Sequence, residues 1–244
     1  MSVSSESFVS YGKHLIKFRR EPRSSKSRRV LIKVTPDGQV VAKVDPDVDD
    51  FSVVEAVTRR ASWVWKQLEY FKNQASLMIP RKYISGESHY YLGKQYLLKV
   101  IQTTDEKQGV KLLRGKLEVK LREKSPEKVK QLLNAWYKNR AKDVLAKRLD
   151  VLLDQAIWVK HQPNIRILTM KTQWGSCSPK GNLTLNPSLV RAPRECIDYV
   201  ILHELCHIAE HNHSERFYRL QNQVMPNWQK YKTLLDEKFG VLDA

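Results

Sequence analysis

The chain has 244 residues, 41% of them hydrophobic and 28% charged, the proportions of a folded globular protein and not of a disordered or fibrous one. No apolar run reaches the roughly 18 residues of a membrane span, the start lacks the apolar core and cleavage site of a secretory leader, and three cysteines are too few for a disulfide framework. The net charge of +17 is uneven, because residues 1–150 hold 32 basic and 17 acidic groups while residues 151–244 hold 11 and 9. A basic first part suits tethering to nucleic acid and serves equally as a solvated surface. The expected compartment is the cytoplasm, with no membrane partner and a monomer as the default state.

Residues 15–18 read as a short strand, and 30–44 alternate about Pro36-Asp37-Gly38, a hairpin signal. Between them Arg19, Arg20, Arg23, Lys26, Arg28 and Arg29 read as a basic loop. Ser52 with Glu55 forms a capping box, and Val53, Val54, Val57, Ala61, Val64, Leu68 and Phe71 follow at the spacing of one helix. Trp63 and Trp65 on that helix are expected to pack inside.

Residues 90–100 and 111–121 read as strands, the second turning at Arg114-Gly115. Ser125-Pro126-Glu127 announces a long helix running towards Leu153, with Val129, Leu132, Leu133, Trp136, Val144 and Leu152 inward. After Pro163 comes a strand over 165–168, then two short segments, 174–178 and 182–186, joined by Pro179-Lys180-Gly181 in a hairpin signal. No internal repeat is visible. The expected division is a basic, strand-rich region with one helix over 1–122 and a second domain over 123–244.

The chemistry concentrates in residues 198–213. His203, Glu204 and His207 form H-E-x-x-H. On a helix the two imidazoles leave one face with their Cβ atoms about 5–6 Å apart, close enough to share a tetrahedral zinc, and Glu204 can reach a water held there. Pro193 gives the helix a start, and Ile197, Val200, Ile201 and Ile208 would bury it. Four of the seven histidines lie between His203 and His213, a clustering that scattered surface histidines would not produce.

A third ligand has two candidates. His213 stands at the spacing of the last histidine in H-E-x-x-H-x-x-G-x-x-H, with Glu210 where that pattern has glycine. His211 stands one turn after His207. Asn212 as a left-handed helix terminator and Ser214 as the next cap would leave His213 at a bend, where it approaches from the opposite side as tetrahedral geometry needs. His213 is therefore favoured. Cys177 and Cys206 read as packing residues. The hairpin at 174–186 offers a strand edge to an extended peptide, and it reads equally well as structural, with Trp174 in the core.

The segments Lys171-Thr172-Gln173-Trp174-Gly175-Ser176-Cys177-Ser178, Gly181-Asn182-Leu183-Thr184-Leu185-Asn186, Ile197-Asp198-Tyr199-Val200 before the motif, and Asn212-His213-Ser214 after it resemble the YgjP-like metallopeptidase domain family, relatives of the SprT-like zincins. Ser85-Gly86-Glu87, Tyr91-Leu92-Gly93, Trp136-Tyr137 and Arg140-Ala141 extend the resemblance to nearly the whole chain. It implies an α+β fold with a zincin-like catalytic domain. It also implies zinc on His203, His207 and His213 and Glu204 as the catalytic carboxylate. Gln173 and Tyr218 stand where the family would have arginine and tryptophan. They bear on substrate contacts, for which Trp174, Gly175 and Ser176 are the candidates.

The leading reading is a zinc peptidase that cleaves peptide bonds with an activated water and Glu204 as general base, acting on a peptide or protein substrate. One alternative is a metal-dependent nucleoside triphosphate pyrophosphohydrolase, although no Gly-rich phosphate loop is present. Another is a nucleic-acid-tethered protein with a zinc site, although no aromatic-basic recognition motif stands out.

Overall fold

The computed structural model describes residues 6–23, 29–35, 37–77, 81–104 and 107–239, and of 73–77 the backbone alone. The architecture is mixed α+β, as expected, in two compact units, residues 1–79 and 80–244. The junction expected near residue 123 lies inside the second unit, between a sheet and the long helix.

In the first unit, β1 (Glu6–Tyr11), β2 (His14–Pro22), β3 (Leu31–Val34) and β4 (Val40–Val44) form a sheet in the order β1-β2-β4-β3. Strands β2 and β4 are parallel and the other pairs antiparallel. Alternation turns Val9, Ile16, Phe18, Ile32, Val34, Val40, Ala42 and Val44 to one face, where they form a core with Val53, Val57, Ala61 and Val64. Those last four lie on α1 (Asp50–Arg59) and α2 (Ala61–Leu77).

Several local expectations change here. Arg19 and Arg20 belong to β2, not to a loop; residues 24–28 and Pro36 lie outside the described residues. The cap is Asp49, whose carboxylate accepts from the Ser52 backbone N–H; the helix begins at Asp50, so Ser52 lies inside the first turn and supplies one of its free N–H groups. The expected single helix breaks at Arg60, whose N–H bonds back to Val57 and Thr58. Trp63 is exposed, and Trp65 is partly buried and stacks on His14 with ring centroids 4.0 Å apart.

The second unit opens with β5 (Ser88–Tyr91), β6 (Lys94–Gln102), β7 (Gly109–Leu113) and β8 (Lys116–Leu121), in the order β5-β6-β8-β7. This is the arrangement of the first sheet again, with β6 and β8 parallel and the outer pairs antiparallel. Each sheet is followed by a side-chain-capped helix, an order of elements shared by the two units. The expected strand over 90–100 is a hairpin turning at Leu92-Gly93, both at positive φ (49° and 76°), the two-residue turn that matches strand twist. Leu92 disguised it, since a bulky residue seldom takes that conformation.

Helix α3 (Pro126–Leu153) begins as expected, with the Ser125 side chain accepting from the Lys128 N–H and proline at its start. Its first half packs Val129 and Leu133 against Leu98, Leu117, Val119 and Leu121 of the sheet. Its second half packs Leu145, Leu149 and Leu152 into the larger core. Then come β9 (Ile165–Ile167), β10 (Gly175–Cys177) and β11 (Leu183–Leu185), in the order β10-β11-β9, followed by a 3₁₀ turn at Pro187–Arg191. Helices α4 (Arg194–Ala209), α5 (Glu215–Val224) and α6 (Trp228–Leu234) complete the fold, with a π turn at Leu235–Phe239. Arg148 of α3 grips Asp198 of α4 through two hydrogen bonds of 2.7 and 2.8 Å, a paired fork geometry that fixes orientation. Among the described residues no helix is long and apolar enough to cross a membrane.

Candidate metal centre

The motif lies on α4, whose apolar positions Cys196, Ile197, Val200, Ile201, Leu202 and Leu205 are buried in the core. Cys206 is buried too, which fits its packing role, and burial raises its thiol pKa to about 12. The helix stops at Glu210, which is extended, two residues before Asn212, the expected left-handed terminator, which is not at positive φ. Ser214 caps α5 through the Phe217 N–H. His213 therefore stands in a tight bend between two helices and turns back to α4.

The nitrogen ligand atoms of His203, His207 and His213 all lie within 4.8 Å of one another, while His211 falls outside the cluster. The Nε2 atoms of His203 and His213 approach to 3.1 Å. Two nitrogens sharing one tetrahedral zinc at about 2.0–2.1 Å would stand roughly 3.3 Å apart, so the observed convergence fits a metal ion. The backbone carbonyl of Glu210 lies 3.1 Å from His207 Nδ1 and accepts its proton in the tautomer that leaves Nε2 free as a donor to a metal.

Burial keeps these rings neutral. Desolvation, then the neighbouring imidazoles of His207 and His213, pushes the His203 pKa down to about 3, and burial also lowers those of His207 and His213. Neutral imidazole is the form that binds metal. His203 Nδ1 and both amide atoms of Gln221 are buried without a closed hydrogen bond. The Gln221 amide is the one influence that favours a proton on His203, so it sits where it can orient that ring.

Phe217 was assigned no role in the sequence, yet it is fully buried with ring centroids 4.9, 4.6 and 4.7 Å from those of His203, His207 and His213. It is the floor on which the three imidazoles rest. The H-S-x-x-F spacing was the only signal for it, since α5 brings Phe217 under His213 after one turn. Tyr199 is buried, stacks nearly parallel on Trp228 at 6.1 Å, and has its phenol pKa raised by burial.

Glu204 is only 5% exposed, and desolvation pushes its pKa up to about 8. It shares a cavity of about 560 Å³ with the three histidines, His211, Gln173, Trp174, Gly175, Ser176 and Cys177. Trp174 is only partly buried, and Cys177 faces the same cavity with its thiol pKa raised to about 11 by burial and by Glu204. The cavity's wall is held by Asn186, fully buried, which donates to the carbonyls of Met170 (2.8 Å) and Gln173 (3.1 Å) and accepts from the Ser188 N–H. Sequence reasoning gave Asn186 no separate task.

Comparison with curated proteins gave no match. Among solved structures, the metallopeptidase zymogen abylysin of Pyrococcus abyssi aligns with 40% of this chain and 94% of its own, at 24% identity and a TM-score of 0.33. The zymogen jannalysin of Methanocaldococcus jannaschii aligns with 40% of this chain and 95% of its own, at 28% identity and a TM-score of 0.33. Scores that low give neither likeness weight. Residues 28–238 match the family described as YgjP-like, metallopeptidase domain. With that match spanning both units and the three histidines gathered as a metal-binding peptidase requires, this chain belongs to the YgjP-like metallopeptidase domain family.

Proposed function

We propose that the protein is a zinc-dependent peptidase that hydrolyses peptide bonds with Glu204 as general base. The observation that carries the reading is the convergence of three neutral imidazoles, two from α4 and His213 from the bend after it, beside the buried carboxylate of Glu204 on α4. An all-imidazole donor set suits zinc, and His203, His207 and His213 would hold it. A zinc ion bound there supplies Lewis acidity, polarising a substrate carbonyl and acidifying water.

Glu204 takes the proton of the attacking water as the hydroxyl adds to the carbonyl carbon. It then delivers that proton to the amine nitrogen as the C–N bond breaks. Burial suits this task, because a carboxylate with a raised pKa is a stronger base. Strand β10 is an edge of its sheet and contributes Gly175 and Ser176 to the cavity wall, next to Trp174. An extended peptide can pair with that edge as an added strand, which gives all three residues a part in holding substrate. The free cysteines, two of them buried, suit a reducing compartment such as the cytoplasm.

The test is metal content by mass spectrometry, with hydrolysis assays on unfolded protein and on nucleoside triphosphates. Glu204→Gln is expected to keep stoichiometric zinc while peptide hydrolysis falls by about 10²-fold or more; unchanged turnover would falsify the assignment. His213→Ala should weaken zinc binding far more than His211→Ala, and the reverse order moves the third ligand to His211. A Glu204-dependent activity on nucleoside triphosphates alone would replace the peptidase reading.

A further inference from the structure

The two sheets agree in register as well as in order. Across the first, Arg19, Val41 and Lys33 stand abreast on β2, β4 and β3, with Val41 buried between the two cations. Across the second, Lys99, Glu118 and Lys111 stand abreast on β6, β8 and β7. Two residues further along the middle strand come Lys43 and Lys120. The intervening positions are matched as well, with Phe18 and Leu98, Val40 and Leu117, Ala42 and Val119, and Val44 and Leu121 all buried against the helices. The cations point the other way.

Thus three register-equivalent positions carry a cation in both units: Arg19 and Lys99, Lys33 and Lys111, Lys43 and Lys120. Exposed apolar side chains share the same faces. Phe8 and Leu31, each 50% exposed, pair with Lys17 and Lys43, and Leu97 and Leu113 at 47% and 49% flank Lys116.

We propose that the outward face of each of these two sheets is, by itself, a binding surface for single-stranded nucleic acid. Neighbouring strands lie about 4.8 Å apart, which sets the outer cations of each row roughly 10 Å apart with the third offset along the sheet. Such a triangle tracks a phosphate backbone, and the exposed apolar groups offer faces to unpaired bases. A duplex would keep its bases stacked inside and leave those groups unused. Acidic partners are present: Glu21 lies 3.0 Å from Arg19 and 3.5 Å from Lys43, Glu118 lies 3.2 Å from Lys99, and Glu6 pairs with Lys17 at 2.7 Å. The Lys17–Glu6 pair is solvent-exposed, and Arg19, Lys43 and Lys99 are 40–49% exposed in theirs, while Glu118 is 16% exposed; pairs with an exposed cation are weak enough for phosphate to displace. The surface is independent of the metal centre and stands or fails separately from the peptidase reading.

The experiment is fluorescence anisotropy of a labelled oligo-dT strand with the full-length protein, across a salt series. The protein is expected to bind the strand at low salt. Arg19→Gln/Lys33→Gln/Lys43→Gln and Lys99→Gln/Lys111→Gln/Lys120→Gln should each weaken binding at least about tenfold and flatten the log–log salt slope by about 2, from roughly 0.7 per neutralised phosphate. Both variants should keep zinc and hydrolysis. Lys138→Gln/Lys142→Gln/Lys147→Gln, on exposed positions of α3, should stay within about twofold of the parent. Should a variant fold poorly, acetylation mapping of the unmodified protein serves in its place, with the strand protecting Lys33, Lys43, Lys111 and Lys120. Absence of binding at low salt, equal losses in the α3 control, no protection of those lysines, or tighter binding of poly-glutamate would each overturn the proposal.

Discussion

Glu204 owes its position to a missing side chain. A Cβ on Gly175 would lie 2.7 Å from Glu204 Oε1, 2.8 Å from its Cγ and 3.0 Å from Val200 Cγ1, distances at which the carboxylate or β10 must shift. Gly175 stood out in the sequence as a substrate contact; its tightest contact is with the proposed base. Gly175→Ala is therefore expected to lower turnover by about tenfold or more, the scale of misplacing a reacting group, while zinc stays bound. Overpacking of this kind costs about 1–3 kcal/mol of stability. The ratio of activity to bound zinc, followed with a thermal melt, separates the two effects; full activity per zinc would show that the carboxylate has room to spare.

Helix α4, which carries His203, Glu204 and His207, begins at Pro193 without a side-chain cap, and the β5–β6 hairpin supports that end. The Leu92 N–H bonds to the Val190 carbonyl at 2.7 Å and the Gly93 N–H to that of Arg191 at 3.1 Å. Gly93 has φ of 76°, and a Cβ there would meet Pro193 at 2.9–3.2 Å. Gly93→Ala is expected to cost about 1–3 kcal/mol through left-handed strain and crowding together. Gly12→Ala, at φ 59° with no atom within 4 Å, should cost less, since only the strain applies. Chemical denaturation of both variants checks the order. Helix α3, in contrast, was legible from Ser125-Pro126 onward because caps and apolar spacing are local signals.

The histidine cluster, its aromatic floor and the wall of its cavity all come from residues 80–244, which have their own apolar core. A chain beginning at Pro80 is expected to melt cooperatively, bind zinc and cleave peptide, and to lose the share of the salt-dependent strand affinity that Arg19, Lys33 and Lys43 provide. Metal content and anisotropy on that shortened chain would check both expectations. A shortened chain that binds no zinc would mean that residues 1–79 are needed to build the centre.

The H-E-x-x-H spacing determined from the sequence that His203 and His207 share a helix face, and Ser214 announced the turn that frees His213. The basic excess of the first part was likewise a matter of composition. Phe217 beneath the imidazoles, Gly175 against Glu204 and the matched cations of two sheets came from folding alone. In each case the partners are set by helix packing or strand register, and contacts between distant residues leave no mark on local periodicity.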